Sequence, residues 1–319
     1  MKVAQPEARA ARTVAAAAVS LAVGTVVFGM KLVAWWKTGS SAILSDALES
    51  TTNVVAALFA LFAVRFAAKP PDRDHPYGHG KIEFLSAAFE GGLVFFAALT
   101  IVYASVRAMI EGPELRSLDV GLLLAAAAAL TNLGLGTWLL RTGKSTRSPT
   151  LIADGHHVLS DVWLTAGAIL GVALVRVTDV MWLDPIAGLV LALFLARMGY
   201  RLVIEAAGGL LDREDPELVA RIVAAFNESQ VPGVRRLHHL RAIRAGSTVH
   251  VDAHVYVPEH WTVRQAHEAS RELERAVTTK SGLDGELALH LDPHRGPFGE
   301  AGVVDPPVTI EQAVGPGDL

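Results

Sequence analysis

Six long apolar stretches, separated by short polar breaks, fill the chain up to about residue 210. They run from about Thr13 to Trp36, Ser41 to Phe66, Phe84 to Ile110, Val120 to Leu140, Leu151 to Val175 and Met181 to Ile204. Each has the roughly 20 residues that a helix needs to cross hydrocarbon. The first is too long for a cleavable signal peptide, and no small-residue cleavage site follows it. Its Trp35 and Trp36 suit an interfacial belt. The hydrophobic share of 51% averages this part with a charged, turn-rich remainder.

An even number of spans puts both termini on one side. Lys2, Arg9 and Arg12 lie ahead of the first span. Arg65, Lys69, Arg73 and Lys81 follow the second, and Arg141, Lys144 and Arg147 follow the fourth. The opposite loops offer Lys37, Arg116 and Arg176. The positive-inside rule therefore makes both termini cytoplasmic, in a cell inner or plasma membrane protein.

The domains are expected as an N-terminal arm (1–12), a six-helix membrane domain (13–210), a cytoplasmic domain (211–295) and a disordered tail (296–319). The third part reads as α-β-β-α-β. Asp215 caps a helix from Pro216 to Ser229. Strands follow at Arg236–Arg244 and Thr248–Val257, a helix at Val263–Thr278 and a last strand at Glu286–Leu291. From Gly296 onward the chain is Gly/Pro-rich, with acidic residues and no basic one.

Ionisable residues inside a spanning helix are costly, which makes them functional candidates. The second span carries Asp46, Glu49 and Asn53, on one face by their spacing of three and four. The fifth carries Asp154, His157 and Asp161 on one face, with His156 pointing elsewhere. Two helices offering donors at i and i+4 can close a four-ligand cage of Glu49, Asn53, His157 and Asp161. Such a nitrogen/oxygen set suits a divalent first-row ion, zinc first. The alternative is a hydrogen-bond network that joins helices. In the loop after the second span, Asp72, His75 and His79 either bind a second ion at the cytoplasmic face or belong to a solvated, helix-initiating turn.

The chain has no cysteine and twelve histidines. That excludes disulfides, thiolate metal sites and cysteine nucleophiles. No His-Glu-x-x-His helix is present to support a metalloenzyme. A net charge of -4 gives no support for nucleic-acid binding. A metal sensor that moves nothing is a rival, but sensing needs no polar residues in mid-membrane.

These residues together resemble the cation diffusion facilitator family of metal–proton antiporters, in the ferrous-iron/zinc efflux group. The resemblance covers about residues 10 to 294. It rests on His75-Pro-Tyr-Gly-His79-Gly-Lys81, His157-x-x-x-Asp161, Asp184-Pro-Ile-Ala-Gly, Leu211-Asp212-Arg213 and His290-Leu-Asp292-Pro. It implies a membrane all-α six-helix transmembrane domain plus a cytoplasmic α+β ferredoxin-like, metallochaperone-like domain, working as a homodimer in the lipid bilayer. It implies a transport site at Glu49, Asn53, His157 and Asp161, a loop site at Asp72, His75 and His79, and a hinge pair of Lys81 and Asp212. The family's second span usually carries Asp-x-x-x-Asp or His-x-x-x-Asp. Here it is Glu49-x-x-x-Asn53, with one negative charge fewer, and Asp46 is a further candidate for ligand or proton binder.

On the strand from Thr248, His250, Asp252 and His254 share the face opposite the valines. The resemblance implies regulatory metal at His238, His254, His267, His290 and Asp292, partly across the dimer. Exposed histidines at a polar interface are the other reading. His239, His250, His260 and His294 are expected to be structural or solvent-facing. The expected function is export of zinc or a similar ion (manganese, cobalt, nickel, iron or cadmium) in exchange for protons, without an organic cofactor. His157 is the natural proton carrier, because imidazole binds metal only when neutral.

Overall fold

The computed structural model describes residues 6–38, 41–111, 119–178, 180, 182–229, 231–294 and 307–315. The chain divides into two compact units, Gln5–Leu210 and a second that begins at Leu211.

The first unit is six long helices: α1 (Pro6–Thr38), α2 (Ser41–Ala67), α3 (Ile82–Glu111), α4 (Asp119–Thr146), α5 (Pro149–Thr178) and α6 (Leu183–Leu210). The helices overrun the apolar stretches because the backbone ladder continues into flanking polar residues. Local signals fix the start of α5. Ser148 accepts a hydrogen bond from the Leu151 N–H at 3.4 Å, and Pro149 occupies the first helical position, where its missing N–H costs nothing. Four windows among the described residues are long and apolar enough to cross a membrane: Glu7–Val33, Ser50–Ala67, Ile82–Glu111 and Pro185–Leu210.

The bundle is apolar outside and small or polar inside. Phe96, Tyr103, Leu130, Val190 and Leu193 are exposed, while Ala16, Ala17, Ala56, Ala60 and Ala63 are buried. Small residues let helix backbones approach closely where lipid supplies no hydrophobic drive. The α3–α6 seam shows this. A Cβ on Gly199 would lie 2.6 Å from the Phe95 amide nitrogen and 2.7 Å from the Gly91 carbonyl oxygen. Helix α5 packs against α2, α3, α4 and α6, so its polar residues are enclosed.

The second unit holds α7 (Pro216–Asn227), β1 (Arg235–Ala245), β2 (Thr248–Pro258), α8 (Val263–Ser281), β3 (Gly285–His294) and α9 (Ile310–Val314). The sheet order is β1-β2-β3. β1 and β2 form an antiparallel hairpin, and α8 is the crossover that makes β2 and β3 parallel. Val249, Val251, Ala253 and Val255 alternate inward against Leu218 and Ile222 of α7 and Leu273 and Val277 of α8. Asp215 caps α7 by accepting from the Glu217 and Leu218 amides at 3.0 and 3.1 Å, and it meets Arg244 Nε at 2.6 Å. Burial works against the charged carboxylate, but the Arg244 bond and the two amides outweigh it and hold its pKa below the usual range. The register of β1 slips between His238 and Arg241, where His239 adopts φ 48°.

The tail expected to be disordered contains a described stretch, 307–315, that is docked. The Asn227 amide donates to the Val308 carbonyl at 2.9 Å and accepts from its N–H at 2.8 Å. Ala313 is fully buried in the core of the unit. One side chain that mimics a backbone partner, together with one small apolar residue, anchors a segment whose composition favours disorder.

Gly199→Ala is expected to strain the α3–α6 seam by about 1–3 kcal/mol and to lower the thermal unfolding midpoint of the detergent-solubilised protein. Gly92→Ala, whose Cβ meets nothing within 4 Å, leaves that midpoint unchanged or raises it. Equal midpoints for the two variants would contradict the close packing.

Candidate functional site

Between α2 and α5, Asn53 joins His157 to Asp161. Its Nδ2 donates to Asp161 Oδ2 at 2.6 Å, and its Oδ1 lies 3.1 Å from His157 Nε2. An amide oxygen only accepts, so Nε2 carries the hydrogen in this arrangement. The opposite amide orientation would set an oxygen against the Asp161 carboxylate. His157 is buried, and its Nδ1 has no hydrogen-bond partner among the described residues. Its i,i+4 spacing with Asp161 puts both on the face of α5 that meets α2.

The trio lines a cavity of about 30 Å³, together with Lys31, Ser50 and Asp154. That is room for one or two waters, or for a bare ion. Lys31 Nζ donates to Ser50 Oγ at 2.8 Å. Glu49 and Asp46 belong to α2, and their side chains lie outside the described residues. Lys31 is a site residue that sequence reasoning missed, although a lysine inside an apolar stretch is itself a signal. Glu83 and Glu90 of α3 are also missed and also buried. The Ser148 hydroxyl donates to the Glu83 carboxylate.

The loop group is a second cluster. Asp72 Oδ1 accepts from the His75 amide at 2.8 Å and lies 3.3 Å from His75 Nδ1, while Oδ2 lies 3.2 Å from His79 Nε2. The His75 amide, more than any other contact, holds the Asp72 carboxyl below its usual pKa. Phe66 packs edge-on against the His79 ring, which is buried although Asp72 and His75 are exposed. One ligand atom from each of Asp72, His75 and His79 falls within 4.8 Å of the others.

The third cluster lies on the sheet of the second unit. Asp292 Oδ2 is 3.0 Å from His238 Nε2 and 3.1 Å from His254 Nδ1, and its Oδ1 is 3.3 Å from His290 Nε2. The register aligns His238 with His254 and His254 with His290 across three strands. Burial opposes the charged form of Asp292, but the His254 bond and the surrounding histidines hold its pKa below the usual range. Burial lowers the pKa of His238 against the pull of Asp292, which favours the neutral, metal-binding imidazole. His267 lies exposed on α8, outside this group. The bulge also brings the His239 ring to 5.0 Å from that of His254. Strand alternation alone sends His239 to the other face. Lys81 belongs to the first unit, just before α3, and Asp212 to the second, in a turn at φ 57°.

The family model for the cation efflux transmembrane domain matches residues 17–211. The model for the cytoplasmic domain of the cation efflux protein matches residues 215–294. The chain belongs to this family, the cation diffusion facilitators: it is an integral membrane transporter of divalent cations. An uncharacterized transporter of Synechocystis sp. is 37% identical over 292 residues, covering 91% of this chain and 93% of the relative. The cation-efflux pump FieF of Pectobacterium atrosepticum is 31% identical over 287 residues, 89% and 94% of the two chains. The manganese efflux system protein MneS of Bacillus subtilis is 25% identical over 279 residues, 87% and 94% of the two.

The loop and sheet clusters predict separable metal binding. In equilibrium dialysis of the full chain against zinc, Asp292→Ala weakens one class of site by at least about tenfold and Asp72→Ala weakens another. Unchanged zinc uptake in both variants would show that these are hydrogen-bonded clusters only.

Proposed function

We propose that this protein exports a divalent cation, zinc first, in exchange for protons. The observation that carries this reading is the Asn53–His157–Asp161 trio on α2 and α5, facing a small cavity in a cation-efflux bundle. Glu49, one turn before Asn53, is the fourth ligand, and Asp46 a further candidate.

The protein works as a homodimer in the inner or plasma membrane. Helices α1 to α6 all span, both termini are cytoplasmic, and the second unit is a ferredoxin-like domain. Metal from the cytoplasm passes Asp72, His75 and His79 and reaches the cavity. There it takes the place of the hydrogens that link the trio: Asn53 turns its carbonyl to the ion, and His157 offers an unprotonated nitrogen. The helices then rock as a body and open the site outward. Protons compete for His157 and the carboxylates and release the metal. His238, His254, His290 and Asp292, with His267 supplied across the dimer, hold a regulatory ion. Lys81 and Asp212 form the hinge pair.

A second reading is favoured by the donor set. Three of the four proposed ligands are oxygen donors, which suits manganese better than a histidine-rich site does. The relative MneS is named for manganese efflux. Zinc keeps first place on its rank in the divalent affinity series.

In proteoliposomes with an outward proton gradient, His157→Ala and Asp161→Ala are expected to abolish uptake of every metal tested. Asn53→Asp adds a negative charge and is expected to change the ranking of zinc against manganese in competition. Wild-type transport by either alanine variant would overturn the site.

A further inference from the structure

We propose that Glu90 of α3, paired with Asp154 of α5, is a proton-binding site beside the transport cavity and distinct from the metal ligands. The inference rests on the proton-exchange reading above.

Glu90 sits in the first third of α3 with 0% of its surface exposed, and neither carboxylate oxygen has a hydrogen-bond partner among the described residues. Asp154 is 1% exposed, and its Oδ2 is likewise unpartnered. Ser20 donates a hydrogen bond to Asp154. The two acids are near enough for their charges to interact. Ala87, three residues before Glu90, packs with Ala153, the neighbour of Asp154, and with Ala206. That contact sets the two helices side by side at this level.

On α1, Lys31 lines the cavity that Asp154 also lines and donates to Ser50, while Asp154 is the one charged group that acts on Glu90 among the described residues. α6 turns Gly199, Leu202 and Ala206 toward the interior, while its Arg197, Arg201 and Glu205 are exposed. On α2, Arg65 is exposed. On α5, His156 interacts with Lys144 and Glu205, and His157 belongs to the trio. On α3, Glu83 is engaged by Ser148. Glu90 has no donor among the described residues, Asp154 has Ser20, and two buried carboxylates so close do not both hold a charge. A divalent ion needs more ligands than the pair offers: Glu90 and Asp154 fall in no group of three metal-ligating side chains among the described residues. The ligand that fits is a proton.

The placement gives that proton somewhere to go. Asp154 lines the cavity with His157 and Asp161. In the other direction, Glu83, Ser86 and Glu90 stand at i, i+3 and i+7 on one buried face of α3, leading toward the His75–Lys81 loop. Ser86 is fully buried, and its hydroxyl has no partner among the described residues. A proton taken up at the cavity therefore has a polar line along α3 that avoids the metal ligands.

The test uses the full chain in proteoliposomes carrying a zinc dye and a pH dye. Wild type is expected to show zinc flux with opposed proton flux. Glu90→Gln keeps shape without the titratable oxygen. It is expected to transport zinc with one proton fewer per ion and a flatter pH profile, and Glu90→Asp is expected to restore both. A Glu90→Gln protein with the wild-type proton count and pH profile overturns the proposal. So does a Glu90→Gln defect that Glu90→Asp does not repair, because the position is then structural. Wild type that moves zinc without protons overturns the exchange reading and this inference together, so the two failures are told apart by the protein in which they occur.

Discussion

Inside an apolar bundle, Asn53 gives its amide hydrogen to Asp161 and its carbonyl oxygen to His157, and the rest of the membrane unit is arranged around those two bonds. Polar groups in hydrocarbon must satisfy one another, so the helices that carry them cannot drift apart. α5 occupies the enclosed position, in contact with each of the other five helices, and carries Asp154, His157 and Asp161 on one face. The glycine seams serve the same end. Where Gly91 meets Gly199, and where Gly136 meets Gly155, the backbones come close enough that a Cβ would collide with the facing helix. The trio's two bonds occupy lone pairs on Asp161 Oδ2 and Asn53 Oδ1 that a cation held there would also need.

One device recurs at all three clusters. A short side chain with two acceptor or donor ends spans two partners: Asn53 between His157 and Asp161, Asp72 between His75 and His79, Asp292 between His238 and His254. At the second and third it orients two imidazole nitrogens toward one carboxylate, and at the first a single imidazole. The three differ in surroundings. The first is enclosed by helices, the second caps a turn against Phe66, and the third lies across three strands. The chemistry is one of nitrogen and oxygen ligands throughout, as a chain without cysteine requires.

What was legible in the sequence follows from periodicity. The 3.6-residue repeat is enough to bring Asn53, His157 and Asp161 to facing helices, and strand alternation is enough to separate Val249, Val251 and Val255 from His250 and His254. What depends on local irregularity was not legible. The bulge that turns His239 toward His254 needs a positive φ at a histidine, which no composition signals. The docking of 307–315 depends on a single amide, Asn227, about eighty residues earlier in the chain. Glu83 and Glu90 carried a readable sign, a spacing of seven in one apolar stretch, yet it lacks the paired donors that draw attention to α2 and α5. The exposed side chain of His267 falls outside the cluster, which helical periodicity on α8 does not signal.

The trio on α2 and α5 is the proposed place where the cation is held. Zinc-edge X-ray absorption, on full-length protein in which Asp72→Ala and Asp292→Ala have disabled the other clusters, tests it most directly. Bound zinc is expected with one imidazole nitrogen and three oxygens, four-coordinate at about 2.0–2.2 Å, and lost on His157→Ala. Two or more imidazoles around the ion, or an unchanged spectrum after His157→Ala, would contradict it.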